Sequence, residues 1–133
     1  MKAARQDIEI ILARQWASYL STPVFLVDTQ GTLLFYNEPA EIILGHRFED
    51  TGEMPVGEWT TVFLPTDEQG APIPAEGLPL VIAITQGRPA QRDFWIQGLD
   101  GKRRHLEVAA FPLITQDGRA LGGAAIFSGH TAE

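Results

Sequence analysis

Few side chains in the sequence have the type and spacing that catalysis or metal binding requires. The three histidines, His46, His105 and His130, lie too far apart in the chain for the i, i+4 pair of a helical metal site. No serine stands in the Gly-x-Ser-x-Gly motif of an activated nucleophile. The absence of cysteine excludes thiolate metal sites, cysteine nucleophiles and cysteinyl adducts. We therefore expect no catalytic residues, no metal site and no enzymatic activity.

Glycine-rich phosphate loops are also missing from the sequence. It contains neither a Gly-x-Gly-x-x-Gly motif nor a Walker loop. Gly122 and Gly123 fall inside a strand pattern, where paired glycines indicate close packing of neighbouring backbone. The sequence therefore gives no sign of a nucleotide site.

Charge is unevenly distributed along the 133 residues, whose formal net charge is −7. Nine acidic residues and one basic residue, Arg47, lie between Glu38 and Glu76. Such a segment repels a phosphate backbone, so we expect no nucleic-acid partner. No apolar run approaches the ~20 residues of a membrane span, and no signal peptide precedes the first strand. We expect a cytoplasmic single-domain protein with no membrane partner.

Apolar periodicity in the first third of the chain predicts a helix, a hairpin and a second helix. Residues 2–20 form the first helix, which Pro23 prevents from continuing. Two β-rich runs at 24–28 and 32–36 flank a glycine-containing turn and predict a hairpin. Asn37 is placed to cap a short helix that Gly45 ends. The first helix carries one apolar stripe, made of Ile8, Ile11, Leu12, Trp16, Tyr19 and Leu20.

The rest of the chain predicts a broken middle segment followed by a meander. Proline and glycine recur through residues 46–77, where 59–64 is the apolar anchor and 59–61 is expected to be loop. A helix follows at 78–86, with Leu78, Val81, Ile82 and Thr85 on one face. Three strands are then predicted, at 90–97, 102–113 and 121–128. This order of elements is typical of an α+β fold with an antiparallel sheet.

Both faces of the predicted sheet need cover, because the strands carry apolar residues on both sides. In the long strand, Leu106, Val108 and Ala110 form one row, while Ala109 and Phe111 end the opposite row. Helices of the middle segment can shield one face. The first helix, or a second copy of the chain, must shield the other.

Three stretches of the chain, taken in order, resemble successive parts of a PAS domain. The stretch PVFLVDTQGTLLFYN at 23–37 resembles the opening hairpin and first helix cap. LPTDEQGAPIP at 64–74, followed by LPLVIA at 78–83 and Gly87, resembles the helical region of bacterial signalling PAS domains.

The closing part of the chain resembles the last hairpin of the same family. Asp100-Gly101 is followed by the strand at 104–113 and by the glycine-containing strand at 122–127. The resemblance covers roughly residues 20–128. It implies a five-stranded antiparallel sheet with helices on one face, which enclose a pocket, in addition to the N-terminal amphipathic helix. The domain organisation is then a cap or dimerisation helix over 1–20, a PAS domain over 21–129 and a tail over 130–133.

The resemblance implies a sensory module that binds a small ligand, mediates dimerisation or does both. The regulated effector would be a histidine kinase of a two-component system, a phosphatase, a cyclic-dinucleotide enzyme or a transcription regulator. The alternative is a ligand-free protein-interaction domain. The lack of cysteine excludes the photoactive flavin-adduct and cysteine-linked chromophore subfamilies, and the helix at 78–86 lacks the histidine through which related sensors hold haem. We expect neither haem nor a cysteinyl flavin, and an unknown small ligand remains open.

Two sets of residues are candidates for binding. The candidate ligand-pocket residues are Trp59, Thr61, Val81, Ile82, Thr85, Trp95, Leu106 and Val108. The candidate homodimer residues, which would cover the outer sheet face of the protein, are Ile8, Ile11, Leu12, Trp16, Tyr19 and Phe111.

Overall fold

A computed structural model describes residues 8–131 of the chain and the side chains of residues 8–129. The start of the predicted first helix (2–7) and the end of the predicted tail (132–133) lie outside that range. The elements are α1 (Ile8–Ser18), β1 (Val24–Val27), β2 (Leu33–Tyr36), α2 (Glu38–Leu44), α3 (Phe48–Thr51), α4 (Val56–Phe63), a 3₁₀ turn (Ala75–Gly77), α5 (Pro79–Gln86), β3 (Ala90–Gln97), β4 (Arg103–Ile114) and β5 (Ala120–Thr131).

The five strands form one antiparallel sheet in the order β2-β1-β5-β4-β3, which confirms the predicted α+β fold. β5 lies at the centre, between β1 and β4, and pairs Leu26 with Ala124 and Val108 with Phe127. It continues to Thr131, so the first two residues of the predicted tail extend the last strand. The chain thus brings its first and last strands together in the middle of the sheet.

The opening hairpin and the helix after it form as predicted, because their turn residues carry the right chemistry. The Asp28 carboxylate accepts hydrogen bonds from the amides of Gln30 and Thr32, which closes the turn between β1 and β2. Asn37 caps α2, and Gly45 ends it in the left-handed conformation at φ 81°.

The segment after α2 is more helical than the sequence predicts. Residues 59–61, expected to be loop, belong to α4. Pro55 stands just before that helix and Pro65 just after it, so the prolines bound the helix instead of interrupting it. The density of proline and glycine therefore marks short elements here, not their absence.

The inner face of the sheet carries the larger core. Helices α2, α4 and α5 cover Phe25, Leu106 and other inner-facing side chains, and the described residues leave no buried side-chain nitrogen or oxygen without a hydrogen bond. Among the described helices, none is long and apolar enough to cross a membrane.

The outer face is covered by α1 of the same chain, through residues other than those predicted. Ile10 and Ala17 are buried, and Ala13 packs over Val24 and Leu26. At about 100° per residue these positions lie on the side of α1 opposite the predicted stripe. The prediction that the stripe covers the sheet is wrong for five of its six residues, which face solvent because small alanine side chains let the helix approach the strands. The sixth, Leu20, follows the helix and packs against this outer cluster.

Candidate functional site

A small cavity lies between the inner face of the sheet and the helices. Its volume is about 60 Å³. Its walls come from β1, β3, β4 and β5 on one side and from α2, α4 and the start of α5 on the other. The lining residues are Phe25, Leu44, Trp59, Phe63, Pro65, Leu78, Pro79, Leu80, Phe94, Ile96, Leu106, Val108, Ala125 and Phe127.

The cavity lining is almost entirely apolar. The indole N–H of Trp59 donates to the Gly31 carbonyl at 2.8 Å and is therefore already satisfied. Buried water needs about 2–4 polar partners, so this space favours apolar contents. Its volume is far below the ~300–1,000 Å³ of pockets for drug-sized ligands. A porphyrin or an isoalloxazine ring does not fit without displacing the lining.

Three of the eight predicted pocket residues line the cavity: Trp59, Leu106 and Val108. The structure places the others outside it. Thr61 is exposed on α4, where its hydroxyl donates to the Gly57 carbonyl. Trp95 is on the outer face of the sheet, as its neighbours Phe94 and Ile96 point inward.

The buried side of α5 is not the side that the sequence predicts. Pro79, Leu80 and Ala83 are the buried positions of α5, whereas Val81 and Ile82 are half-buried and Thr85 is exposed. The prediction followed an apolar stripe that ends in a threonine. Nearly every residue of this helix is apolar, so periodicity alone could not identify the inward side.

Four phenylalanines that the sequence did not indicate form much of the cavity wall, namely Phe25, Phe63, Phe94 and Phe127. One signal could have identified Phe94. It pairs with Leu106 across β3 and β4, and Leu106 is one of the predicted pocket residues. Cross-strand partners share a face, so this register also assigns Trp95 to the outer face with His105.

The outer face at the β3 edge holds a stacked polar cluster. The Trp95 and His105 rings lie 5.0 Å apart, and the Arg103 guanidinium carbon is 4.2 Å from the Trp95 ring centre. His105 Nε2 is 3.6 Å from an Asp93 carboxylate oxygen. His105 therefore faces away from the cavity. The described residues contain no cluster of three or more side chains suited to a metal ion.

Five predicted homodimer residues, four on α1 and one directly after it, form an exposed surface, which we term the α1 stripe: Ile8, Ile11, Leu12, Trp16 and Tyr19. Their exposed fractions range from 47% to 83%. Phe111 does not join them, because it is half-buried beside Val24 and Leu26 in the cluster under α1. The α1 stripe is therefore exposed to solvent, while the other side of the helix packs against the sheet.

An ion pair between the buried Arg104 and the partly exposed Asp100 closes the inner face at the β3–β4 turn. The Arg104 guanidinium donates to both carboxylate oxygens of Asp100, at 3.0 and 2.8 Å, and only 8% of the Arg104 side chain is exposed. These hydrogen bonds lower the pKa of Asp100 to about 2. Leu99 donates its amide to the Leu44 carbonyl at 2.8 Å, so the turn is fixed against the end of α2.

Tyr36 connects this inner layer to α3. Its hydroxyl donates to the His46 carbonyl at 3.0 Å and lies 3.3 Å from Thr51 Oγ1. Burial raises the pKa of Tyr36, and the Thr51 hydroxyl partly opposes that rise. The residue thus has a structural role with its proton retained.

Solved PAS domains share this architecture over nearly the whole chain. A PAS domain of a protein from Colwellia psychrerythraea aligns with a TM-score of 0.65 at 18% identity, over 94% of this chain and 98% of that chain. The PAS domain of nitrogen regulation protein NR(II) from Vibrio parahaemolyticus gives 0.60 at 18%, over 88% and 96%. A LOV protein from Rhodobacter sphaeroides gives 0.71 at 13%, over 92% and 68%.

Neither the models of protein families nor the curated proteins give a match to the chain. The structural likeness, at low sequence identity, confirms the predicted resemblance at the level of the fold. The chain has the PAS fold.

Proposed function

From the PAS fold of this chain we propose a signalling module that self-associates through the α1 stripe and regulates an effector, without catalysing a reaction itself. The observation that carries the proposal is the exposure of the five large apolar side chains of the α1 stripe. Contiguous apolar surface of this kind marks interaction sites in soluble proteins. A second copy of the chain is the occupant we propose, because two identical stripes are complementary in apolar character and allow a two-fold arrangement.

The energetics of the α1 stripe suit a dimer. Complete burial of a large apolar side chain contributes about 1.5–3 kcal/mol. Each stripe residue is already between one-sixth and one-half buried, so its complete burial in a dimer contributes roughly half or more of that value. Two copies of the stripe supply ten such residues. The sum is comparable with the ~4–15 kcal/mol that association costs in lost freedom. Self-association is therefore expected to be reversible and sensitive to single substitutions.

A regulatory role is supported by a protein that contains a PAS domain of similar structure. One PAS domain of similar structure belongs to a nitrogen regulation protein. The acidic segment between Glu38 and Glu76 disfavours nucleic acid as the direct partner, so the proposed effector is a protein or a linked domain. A histidine kinase, a phosphatase, a cyclic-dinucleotide enzyme or a transcription regulator fits that description.

Sedimentation velocity over a wide concentration range tests the proposal. The variant Leu12→Glu places a charge in the α1 stripe, where Leu12 is 55% exposed and makes no core contact. We expect the dissociation constant of the dimer to rise by about tenfold or more, since each ~1.4 kcal/mol is a factor of ten. The matched control is Ile42→Glu, a change of the same kind on a different helix, since Ile42 lies on α2 and is 71% exposed.

Two outcomes contradict self-association through α1. The first is a monomer for the unmodified chain at the highest concentration reached. The second is an equal effect of Leu12→Glu and Ile42→Glu, which would assign the contact to general surface hydrophobicity.

A second candidate function is binding of a small apolar molecule in the cavity, and its apolar lining favours this candidate over polar ligands. Xenon is a suitable probe, since dry apolar cavities bind it. We expect a saturable xenon chemical shift that Ala125→Val abolishes by filling the space, with Ala109→Val on the outer face as the control. An unchanged shift in Ala125→Val would favour the ligand-free interaction domain.

A further inference from the structure

The side chain of Asn37 joins the N-terminal helix to the domain. It is 1% exposed and makes four hydrogen bonds, all to backbone. Its oxygen accepts from the amides of Val24 at 3.0 Å and Ala40 at 3.3 Å. Its nitrogen donates to the carbonyls of Ala17 and Thr22, both at 2.9 Å. Because amides face the oxygen and carbonyls face the nitrogen, the orientation of the carboxamide is unambiguous.

The two ends of this carboxamide serve different parts of the chain. The oxygen holds β1 and caps α2, both of which belong to the inner layer of the domain. The nitrogen holds the last turn of α1 and the connection from α1 to β1. A primary amide has two N–H donors and one carbonyl oxygen with two lone pairs, so its full capacity is used.

The remaining attachments of α1 are modest. Its buried side chains are Ile10 and Ala17, and Ala13 with the following Leu20 packs partly buried against the same face. The Glu9–Arg119 contact is 3.7 Å long between half-exposed groups, and exposed pairs contribute little. The Arg14 guanidinium carbon lies 4.9 Å from the Phe35 ring centre. The hydrogen bond from Asn37 to Ala17 is thus the main buried polar link between α1 and the domain, and the part-buried bond to Thr22 fixes the connection that follows the helix.

We propose that the Asn37 carboxamide is a latch for α1. Its donor end keeps α1 seated on the outer face, and its acceptor end keeps α2 and β1 in place when α1 leaves. Release of α1 then proceeds without loss of the inner core. The α1 stripe lies on this helix, so the latch sets how the stripe is presented for the proposed self-association, but the latch itself does not require a dimer.

The substitution Asn37→Asp separates the two ends. Aspartate caps helices as well as asparagine does, so the acceptor end is kept. An ionised carboxylate has no proton to donate, so the link to Ala17 and Thr22 is lost. We expect hydrogen exchange of the α1 amides to accelerate by about tenfold, the factor appropriate to two lost hydrogen bonds, while α2 amides stay within about twofold. The measurement is made in the Leu12→Glu background, so that a failure of self-association does not affect its result.

A pH series gives a readout that a merely structural role would not produce. A protonated aspartic acid regains one O–H donor, and burial raises the pKa of such a group. Lowering the pH from about 8 to about 5 should therefore restore part of the α1 protection in Asn37→Asp, after correction for intrinsic exchange. Asn37→Ser retains a capping oxygen, is too short to reach both carbonyls and does not titrate. We expect it to release α1 at every pH.

Three results would overturn the latch. Unchanged α1 protection in both variants would assign the seating of α1 to its apolar contacts. Equal acceleration of α1 and α2 would make Asn37 an ordinary core residue. Absence of any pH-dependent recovery in Asn37→Asp would remove the donor hydrogen bonds from the explanation. If Asn37→Asp does not fold, Asn37→Ser decides between the first two results by the same measurement.

Discussion

The two faces of the sheet are built from the same strands but are packed in different ways. On the inner face, Phe25 and its neighbours meet three helices and enclose a cavity of about 60 Å³. On the outer face, Val24, Leu26 and Ala124 meet one helix, whose contacting residues are small. Successive residues of β1 therefore alternate between the inner core and the smaller cluster under α1 on the outer face.

This difference indicates where stability and interaction lie. The inner face has little free space and most of the core, so its side chains mainly stabilise the fold. The outer face leaves the α1 stripe exposed, and beyond α1 it leaves an open groove of mixed polar and apolar lining at Asp93, Glu107 and Ile126. We infer that partners approach the outer face, and each prediction below tests whether the two faces differ in this way.

The largest effect is expected from truncation on the inner face. Phe25 packs edge-on to Trp59 at 5.1 Å and stacks with Tyr36 at 6.1 Å. Phe25→Ala should lower the free energy of unfolding by about 3–5 kcal/mol. Ile10→Ala in α1 should cost about 2 kcal/mol, the low end for such a change, because α1 is proposed to detach while the inner core stays folded. Urea denaturation of both variants measures the difference, and equal losses would contradict it.

Much of this fold could be predicted from the sequence because turn and cap residues act locally. Asp28, Asn37 and Gly45 each determine their own few residues, and the hairpin and α2 follow from them. The strands at 90–97 and 102–113 were predicted nearly to their observed ends, since their turns contain Gly98 and Gly101.

What the sequence could not provide is the choice of face, which depends on packing between distant elements. The sequence shows that Ile8, Ile11, Leu12 and Trp16 share one side of α1, but only the sheet decides that Ala13 and Ala17 face inward. In the same way, Trp95 and Phe94 are equally apolar neighbours, and the register with β4 settles which one reaches the cavity. Helix α5 is apolar on nearly all sides, so its contact residues depend on the sheet too.

An intermediate effect is expected at the ion pair that closes the inner face. The pKa of Asp100 is lowered from 3.8 to about 2 by Arg104. A pKa shift of that size corresponds to about 2 kcal/mol at most, and because 31% of the Asp100 side chain is exposed we expect about 1 kcal/mol after screening. Because the folded-state pKa lies below the unfolded one, this stabilisation is complete above pH 3.8 and disappears as the pH falls towards 2.

The check compares the unmodified chain with Asp100→Asn in urea at neutral pH and at stepwise lower pH. The difference in unfolding free energy should be present at neutral pH and shrink below pH 3.8. Asp93→Asn provides the outer-face control, since Asp93 is 65% exposed and 3.6 Å from His105. A larger loss for Asp93→Asn than for Asp100→Asn would reverse the assignment of stability to the inner face.

The smallest effect is expected for the stack on the open part of the outer face. Arg103 is exposed, and its guanidinium carbon lies 4.2 Å from the centre of the half-buried Trp95 ring. An exposed cation–π contact contributes about 0.5–1 kcal/mol, so Arg103→Gln should lower the unfolding free energy by no more than that. Arg103→Lys keeps the positive charge but loses the planar group, so its unfolding free energy should lie between those of the unmodified chain and Arg103→Gln. Thermal and urea denaturation of the three proteins measure the series. A loss of about 2 kcal/mol or more in Arg103→Gln would mean that this face holds the fold together as the inner face does, because losses that large come from core or buried polar contacts.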